Sequence, residues 1–286
     1  KMKSEKRMLI AFWLNFSSAL LEAIFGFLFR SSAVMADAVH DLGDALAIGL
    51  SAYLEKLSKK KGDKKYSLGY KRFSLLGAIL TASILIFGSL LILLENVPKL
   101  WAPEEVNYQG MLVLGLVAIA INLMASRLVR HGHSHNEAIL SLHFLEDILG
   151  WLAVILVSIV LHFTDWYYLD PLLSLCIAGY ILSQALPTFW KNMKIFLEHV
   201  PEDVDLPAFE TDILALDNVQ AITQLNVWTT DGREKFAMLH ICPRDMAQSL
   251  TSKEDLRRLA KSHGITHLTI EFDQSLQEHE AHQTEV

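Results

Sequence analysis

The chain has 286 residues, 52% of them hydrophobic, and a formal net charge of −7 at pH 7. The acidic balance argues against nucleic acid as a partner, and two cysteines imply no disulfide framework. The apolar residues are concentrated before about residue 200, and an ordinary polar sequence follows. This change in composition predicts two domains, a transmembrane domain over 1–190 and a cytoplasmic domain over 191–286.

Six apolar stretches are each long enough to cross a bilayer as a helix. A hydrocarbon core of about 30 Å requires about 20 helical residues. The predicted spans are 8–29, 33–54, 73–94, 108–129, 138–162 and 168–190. The expected fold class is therefore an α-helical membrane protein with six transmembrane helices and a C-terminal cytoplasmic domain.

Basic residues between the spans predict the orientation of the chain. The loop between spans two and three is rich in them: Lys56, Lys59, Lys60, Lys61, Lys64, Lys65, Lys71 and Arg72. The connections on the opposite side carry only Arg30 and Lys99. Because Lys and Arg are retained on the cytoplasmic side, we expect both termini in the cytoplasm. The compact loops suggest the inner (plasma) membrane of a bacterium.

Two pairs of ionisable residues interrupt the apolar runs. His40 and Asp44 lie in span two, and His143 and Asp147 repeat the same spacing in span five. Residues four apart lie on one face of a helix, one turn apart. A charged side chain at the centre of a membrane costs about 3 kcal/mol on insertion scales. A second occurrence with the same residue types therefore indicates a metal or proton site rather than a packing contact between helices.

The four side chains together supply two imidazoles and two carboxylates. This set completes a tetrahedral shell for Zn²⁺, and the two carboxylates neutralise the dication. Once the metal leaves, the same groups are expected to take up protons, because metal ligands bind in their deprotonated form. The pattern predicts exchange of a metal ion for protons. No cofactor is expected beyond the transported Zn²⁺, for which Cd²⁺ or Co²⁺ are alternatives.

Other polar residues lie near these pairs in the sequence. Asp37 precedes His40 by almost one turn and is a candidate to orient its ring, whereas Asp41 is expected to face another helix or a water-filled vestibule. Asn15 and Glu22 lie two turns apart on one face of span one, where they are candidates to line the access path. A short histidine tract between spans four and five comprises His131, His133 and His135. It is either a zinc-capture loop or an ordinary solvated loop.

The C-terminal segment alternates helical and strand patterns. Helices are predicted over 206–216 and 252–263, and strands over 220–229, 235–242 and 267–272. Asp231-Gly232 between two alternating apolar runs predicts a hairpin turn. The order α-β-β-α-β predicts a small open-faced α+β sandwich. Its exposed sheet edge favours pairing with a second copy of the chain.

Several of these motifs resemble the cation diffusion facilitator family of zinc transporters. The similar segments are 33–44, 143–147 and 169–174, together with Asn15, Glu22 and Gly26. The resemblance implies a homodimeric antiporter with six spans and a cytoplasmic domain of ferredoxin-like, metallochaperone-like fold. It also implies that the paired His-x-x-x-Asp motifs form the transport site and that this ligand composition goes with zinc. The matching residues are His40, Asp44, His143 and Asp147.

The resemblance further implies a metal site in the cytoplasmic domain. His240 and Asp273 occupy ligand positions of the family, whereas Thr223 and Thr266 stand at two others. His263 and His267 are candidates to replace them, and a half-buried sheet residue is the alternative interpretation of His240. In the loop after span two, some relatives bind a second zinc, but this sequence keeps only the aspartate of that site, Asp63. Tyr66 and Tyr70 disfavour the second site there.

Two other classes of function stay open at this point. An intramembrane metal-dependent enzyme would also place His and carboxylate ligands on facing helices, but it needs an open coordination position and a general base. The four donors fill the coordination sphere, and no His-Glu-x-x-His or Gly-x-Ser-x-Gly motif is present. The second alternative is a membrane zinc sensor whose acidic tail reports cytoplasmic metal to a partner.

Overall fold

A computed structural model describes residues 4–130, 135–275 and 277–278, without the side chains of 4–9, 11, 47–48, 51–52, 55, 128–130 and 135–143. Six long helices come first. They are α1 (Ser4–Phe29), α2 (Ser32–Ser58), α3 (Arg72–Lys99), α4 (Tyr108–Arg130), α5 (His135–Phe163) and α6 (Leu169–Phe196). Each coincides with a predicted span, and most extend beyond it, because a helix continues past the apolar residues that mark the bilayer core.

Five of the six helices are apolar and long enough to cross a membrane: α1, α3, α4, α5 and α6. The remaining helix, α2, has 27 residues and is no shorter than its neighbours. It differs in composition, since it carries Asp37, Asp41 and Asp44 within eight residues. The helix with the lowest apolar content among the six is therefore the one that carries the first His-x-x-x-Asp pair.

The chain folds into two compact units, one formed by 1–56 and 76–189 and the other by 57–75 and 190–286. In the first unit α4 packs against α5 and α1. Met111, Trp151 and Val154 are fully buried in the main cluster of this unit. Gly43 of α2 lets α3 approach closely, because a Cβ at that position would lie 2.1 Å from Leu85 Cδ2. These contacts hold α2 and α5 in a packed bundle.

The second unit contains α7 (Leu206–Leu214), β1 (Val219–Thr229), β2 (Lys235–Pro243), α8 (Ser249–Ser262) and β3 (His267–Phe272). This order confirms the α-β-β-α-β prediction, with a short 3-10 helix added before α8. In the sheet β1 pairs antiparallel with β2, and β3 pairs parallel with β2. Gly232 has a φ of +78° in the predicted Asp-Gly turn, a conformation that glycine adopts without strain.

One face of the sheet is covered and the other is open. Phe209 and Ile213 of α7 and Leu256 of α8 are fully buried against Leu239 and Ile241 of β2. Since side chains alternate along a strand, the β2 residues that alternate with Leu239 and Ile241 point to the opposite, open face. On that face the rings of Trp228, Phe236 and His267 stack across the three strands, with centroid separations of 5.8 and 4.5 Å.

The connection between α2 and α3 belongs to the second unit, which the sequence did not predict. Asp63 organises it: the Tyr70 hydroxyl and the Tyr66 and Lys65 backbone N–H groups donate to its carboxylate at 2.7, 2.9 and 2.8 Å. These donors hold the pKa of Asp63 well below its usual range. Their contribution to stability is therefore complete at a pH above the ordinary aspartate pKa of about 3.9. It is lost as the pH falls through the lowered pKa of Asp63, where the carboxylate becomes protonated.

Candidate metal transport site

The first half of the candidate site lies on α2. His40 and Asp44 are one helical turn apart, and His40 Nε2 lies 3.5 Å from Asp44 Oδ2. Both side chains are partly accessible, at 21% and 23% of their full exposure. The paired spacing thus places an imidazole and a carboxylate next to each other.

The second half lies on α5. Asp147 is 4% exposed, and the buried rings of Phe144 and Trp151 flank it on the same helix. His143 is in α5 one turn before Asp147, and its side chain lies outside the described part of the structure. His40, Asp41 and Asp147 each offer one ligand atom, and these atoms lie within 4.8 Å of one another. The two helices therefore meet at their polar residues.

Asp41, which the sequence predicts to face another helix or a water-filled vestibule, lies among polar side chains of α1, α2 and α5. Its carboxylate is grouped with His40 and Asp147 and is 1% exposed. It belongs at the same time to a second group, in which Glu22, Asp37 and Asp41 place carboxylate oxygens within 4.8 Å of one another. Asp41 therefore faces two other helices, α1 and α5, and its carboxylate is also close to the candidate ligands His40 and Asp147.

The polar residues predicted to line the access path are buried beside these carboxylates. Glu22 is 1% exposed and accepts a hydrogen bond of 2.8 Å from the Ser18 hydroxyl. Asn15 is 3% exposed on the same helix. Asp37 joins the carboxylate group with Glu22. Three helices, α1, α2 and α5, thus contribute acidic side chains to one region of the first unit.

A divalent cation suits this concentration of buried negative charge. Tetrahedral zinc brings its ligand atoms to about 3.4 Å from one another, so a small contraction of the observed group would enclose the ion. Buried carboxylates without a cation or protons would repel one another strongly in a medium of low dielectric constant. The arrangement can therefore hold a metal ion in one state and protons in another.

The sequence profile described as "Cation efflux transmembrane domain" matches residues 8–197, about two thirds of the chain. This chain belongs to the cation diffusion facilitator family. It is therefore a multi-pass cation efflux transporter and not an enzyme, which excludes the alternative of an intramembrane metalloenzyme.

Curated relatives of this cation diffusion facilitator align along nearly their whole length. The "Cadmium, cobalt and zinc/H(+)-K(+) antiporter" of Bacillus subtilis is 28% identical over 97% of this chain and 91% of its own. The "Metal cation efflux system protein CzcD" of Cupriavidus metallidurans is 29% identical, with 94% and 87% covered. The "Zinc transporter ZitB" of Yersinia pestis is 28% identical, with 94% and 88% covered. All three names describe export or transport of divalent metals.

A second group of candidate ligands lies on the open face of the three-stranded sheet. His240 of β2 pairs in register with Glu271 of β3, and its ring lies 3.6 Å from the Glu271 carboxylate and 3.9 Å from that of Asp273. The three residues form a possible metal-holding group. Asp273 is 3% exposed and also accepts a hydrogen bond from the Thr223 hydroxyl. Glu271 was not among the predicted ligands.

His263 and His267 do not join this group. His263 follows α8, in the helix layer behind the sheet, and its Nε2 lies 2.8 Å from Asp212 Oδ2 of α7. His267 is at the start of β3, four residues before Glu271, which is about 13 Å along a strand. Its ring stacks on Phe236. Both residues lie close in sequence to Thr266, one of the ligand positions that they were expected to replace. The fold places His263 behind the sheet and His267 on the open face but too far along β3 to join the group.

The remaining predicted metal positions receive little support from the described residues. His131 and His133 lie outside them, and His135 begins α5 with its side chain outside the description. In the α2–α3 connection the Asp63 carboxylate is already bound to the hydroxyl of Tyr70 and to two backbone N–H groups. This agrees with the expectation that the tyrosines disfavour a second zinc site there.

Proposed function

We propose that this cation diffusion facilitator is a Zn²⁺/H⁺ antiporter that moves zinc out of the cytoplasm. The proposed transport ligands are His40, Asp44, His143 and Asp147. The observation that carries the proposal is the meeting of His40 and Asp147 from two helices inside an otherwise apolar bundle. The relatives from Bacillus and Yersinia, named as an antiporter and a zinc transporter, support the same conclusion.

The charge of the proposed site explains why exchange with protons is favourable. Two carboxylates and two neutral imidazoles give the loaded site a net charge of zero, which a membrane interior tolerates. Release of zinc leaves two uncompensated carboxylates, and the uptake of protons restores neutrality. When the bundle changes conformation, the site stays approximately neutral, because it carries zinc in one direction and protons in the other.

Zinc is proposed over other divalent metals because of the ligand types. Imidazole together with carboxylate suits Zn²⁺, while Cd²⁺ and Co²⁺ are chemically close alternatives that the Bacillus relative's name includes. That name also contains K⁺. The cluster of Glu22, Asp37 and Asp41 beside the site supplies oxygen ligands of the kind that an alkali cation would use, so K⁺ is the second candidate counter-ion for this chain.

The proposed topology has six spans with both termini in the cytoplasm of a bacterium. The sixth span is α2, which enters the membrane although its aspartates give it a low hydropathy. The excess of Lys and Arg in the α2–α3 connection supports this orientation. We further propose that the chain is a homodimer, because its three-stranded sheet has an open face and unpaired edges that a second copy would cover.

Reconstitution into vesicles tests the proposed exchange directly. Purified protein is placed in proteoliposomes that contain a pH-sensitive dye, and zinc is added outside. We expect zinc entry accompanied by a rise in internal pH, because protons leave as zinc enters. Zinc entry without any pH change, but dependent on internal K⁺, would assign K⁺ as the sole counter-ion. The absence of metal flux would contradict the proposal.

We also propose a regulatory zinc ion in the cytoplasmic domain, bound by His240 and Asp273 with Glu271 as the third ligand. Isothermal titration of the full chain is expected to give one zinc fewer per protomer in His240→Ala than in the parent. His263→Ala is the matched control and keeps the parent stoichiometry, since its ring bonds to Asp212 behind the sheet. An unchanged stoichiometry in His240→Ala would show that His240 is only a half-buried sheet residue.

A further inference from the structure

Asp170 connects two helices that lie far apart in the sequence. It is the second residue of α6, and it is completely buried. The sequence alone explains it as the beginning of span six, where Pro171 suits the first helical turn. The structure places its carboxylate instead against the N-terminus of α2, with Ser31, Ser32 and Ala33 as its partners.

The contacts of this carboxylate account for half of the free donors at the start of α2. Asp170 accepts hydrogen bonds from the Ser31 hydroxyl and the Ser32 N–H, both at 2.6 Å, and from the Ala33 N–H at 3.4 Å. The Val34 N–H donates to Ser31 Oγ at 3.1 Å, and the Ser31 N–H donates to the Gly26 carbonyl at 3.0 Å. The four N–H groups from Ser31 to Val34, which have no partner within α2, are thus all satisfied, two of them by a residue of α6.

Electrostatics strengthens this connection. The N-terminus of a helix carries a partial positive charge, which favours a carboxylate at that position. Lys99 at the end of α3 lies beside it, with its Nζ 3.2 Å from the Ser32 hydroxyl. A charged carboxylate that is buried and held by three donors is a strong and directional link. Helices α2 and α6 are therefore fixed to each other at this end.

Helix α2 is also the helix that carries the transport ligands. His40 and Asp44 are 8 and 12 residues beyond Ser32, which is about 12 and 18 Å along the helix axis. A helix is stiff over this distance, so a shift or rotation at its start changes where both side chains meet α5. The position of the first turn therefore sets the geometry of the metal site.

From these contacts we infer that Asp170 is a positioning residue for zinc transport, which tethers the start of α2 to α6 so that His40 and Asp44 meet the ligands of α5. This inference rests on the proposed function of that site. It is distinct from helix capping alone, since a cap supplied by α2 itself would satisfy the same N–H groups without connecting the helix to α6.

Asp170→Asn tests the inference in the purified full chain in nanodiscs. Its amide keeps one acceptor oxygen but replaces the other with an NH₂ donor and removes the negative charge, so the contact with the α2 N–H groups is weakened without a change in size. We expect the Kd for zinc and the KM of zinc flux to rise about tenfold, as for other residues that orient metal ligands. Amide exchange at residues 32–35 is expected to accelerate. Ser174→Ala is the control, one turn further along α6 and also fully buried.

A double variant separates tethering from capping. Ser31→Asp combined with Asp170→Asn gives α2 a strong N-cap of its own, because aspartate caps the N–H groups two and three residues later. We expect amide protection at 33–34 to return while the Kd for zinc stays raised. Recovery of the parent Kd in the double variant would overturn the inference, and so would a parent-like Kd in Asp170→Asn.

Ser31→Gly carries the test if Asp170→Asn is not recovered as folded protein. The change removes the hydroxyl that donates to Asp170 and accepts from the Val34 N–H, and because glycine is tolerated at an N-cap, loss of the cap bond costs only a few tenths of a kcal/mol. We expect a smaller rise in the Kd for zinc, about threefold, and an unchanged Kd would overturn the tether. Failure of the proposed function would give a different result. A parent protein that binds zinc but does not exchange it for protons would contradict antiport and leave the role of Asp170 in zinc binding unaffected.

Discussion

Zinc-driven proton exit is expected to disappear in Asp147→Asn and to continue in Glu146→Gln. The two residues are adjacent carboxylates on α5, but Asp147 is 4% exposed and meets His40, whereas Glu146 is exposed. Asparagine keeps the size of the side chain and removes its charge, so the site can no longer neutralise a dication. Because orienting residues alone contribute 10- to 100-fold to metal affinity, loss of a ligand should reduce flux by at least about 100-fold.

The measurement is the rate of internal pH change in proteoliposomes after zinc is added, normalised to reconstituted protein. Asp44→Ala and His143→Ala are expected to behave like Asp147→Asn, because each removes one of the four proposed ligands. Equal losses in Asp147→Asn and Glu146→Gln would indicate a general effect of charge on α5. Flux that survives all three ligand changes would show that the paired motifs are structural.

Replacing His40 with aspartate should change the selectivity of transport rather than abolish it. The variant keeps four donors, but it exchanges an imidazole for a carboxylate and gives the loaded site a net charge of −1. Carboxylate-rich sites suit Mn²⁺, whereas imidazole favours Zn²⁺. We therefore expect the ratio of Mn²⁺ to Zn²⁺ transport to rise about tenfold, which corresponds to about 1.4 kcal/mol of differential binding.

The matched variant is Asp44→His, which changes the net charge of the loaded site to +1 at a neighbouring position on the same helix. Competition between Mn²⁺ and Zn²⁺, measured by metal analysis of the vesicles, compares the two variants with the parent. The expected order of the Mn²⁺ to Zn²⁺ ratio is His40→Asp, then the parent, then Asp44→His. The same ratio in all three proteins would mean that selectivity is set elsewhere in the access path.

Local patterns in the sequence predicted the elements of the fold well. The apolar runs located all six long helices, and the Asp231-Gly232 turn with its flanking alternation located β1 and β2 to within one residue. Errors are confined to helix ends: α6 continues to Phe196, beyond the predicted residue 190, because hydropathy records the thickness of the bilayer and not the length of the helix. Secondary structure followed from periodicity because that signal is contained in neighbouring residues.

Periodicity did not predict contacts between residues that are far apart in the sequence. The bond between Ser31 and Asp170 joins residues 139 positions apart, and no periodicity encodes it. The carboxylate neighbours of Asp41 come from α1 and α5, and the sequence alone did not identify which helices it would face. His263 was expected to replace a missing ligand near Thr266, but alternation along β2 places His240 on the open face, and α8, which His263 follows, covers the other face. Such errors arise wherever tertiary packing decides which faces meet.

The composition of α2 has a consequence for biogenesis. Three aspartates, each unfavourable by about 3 kcal/mol in the middle of a membrane, prevent this helix from entering the bilayer efficiently by itself. Only Arg30 and Ser31 separate it from α1, and Arg30 adopts a φ of 55° that turns the chain back sharply. We therefore expect α1 and α2 to leave the translocon as one helical hairpin, with the polar face of α1 shielding the aspartates of α2 from lipid until α5 arrives.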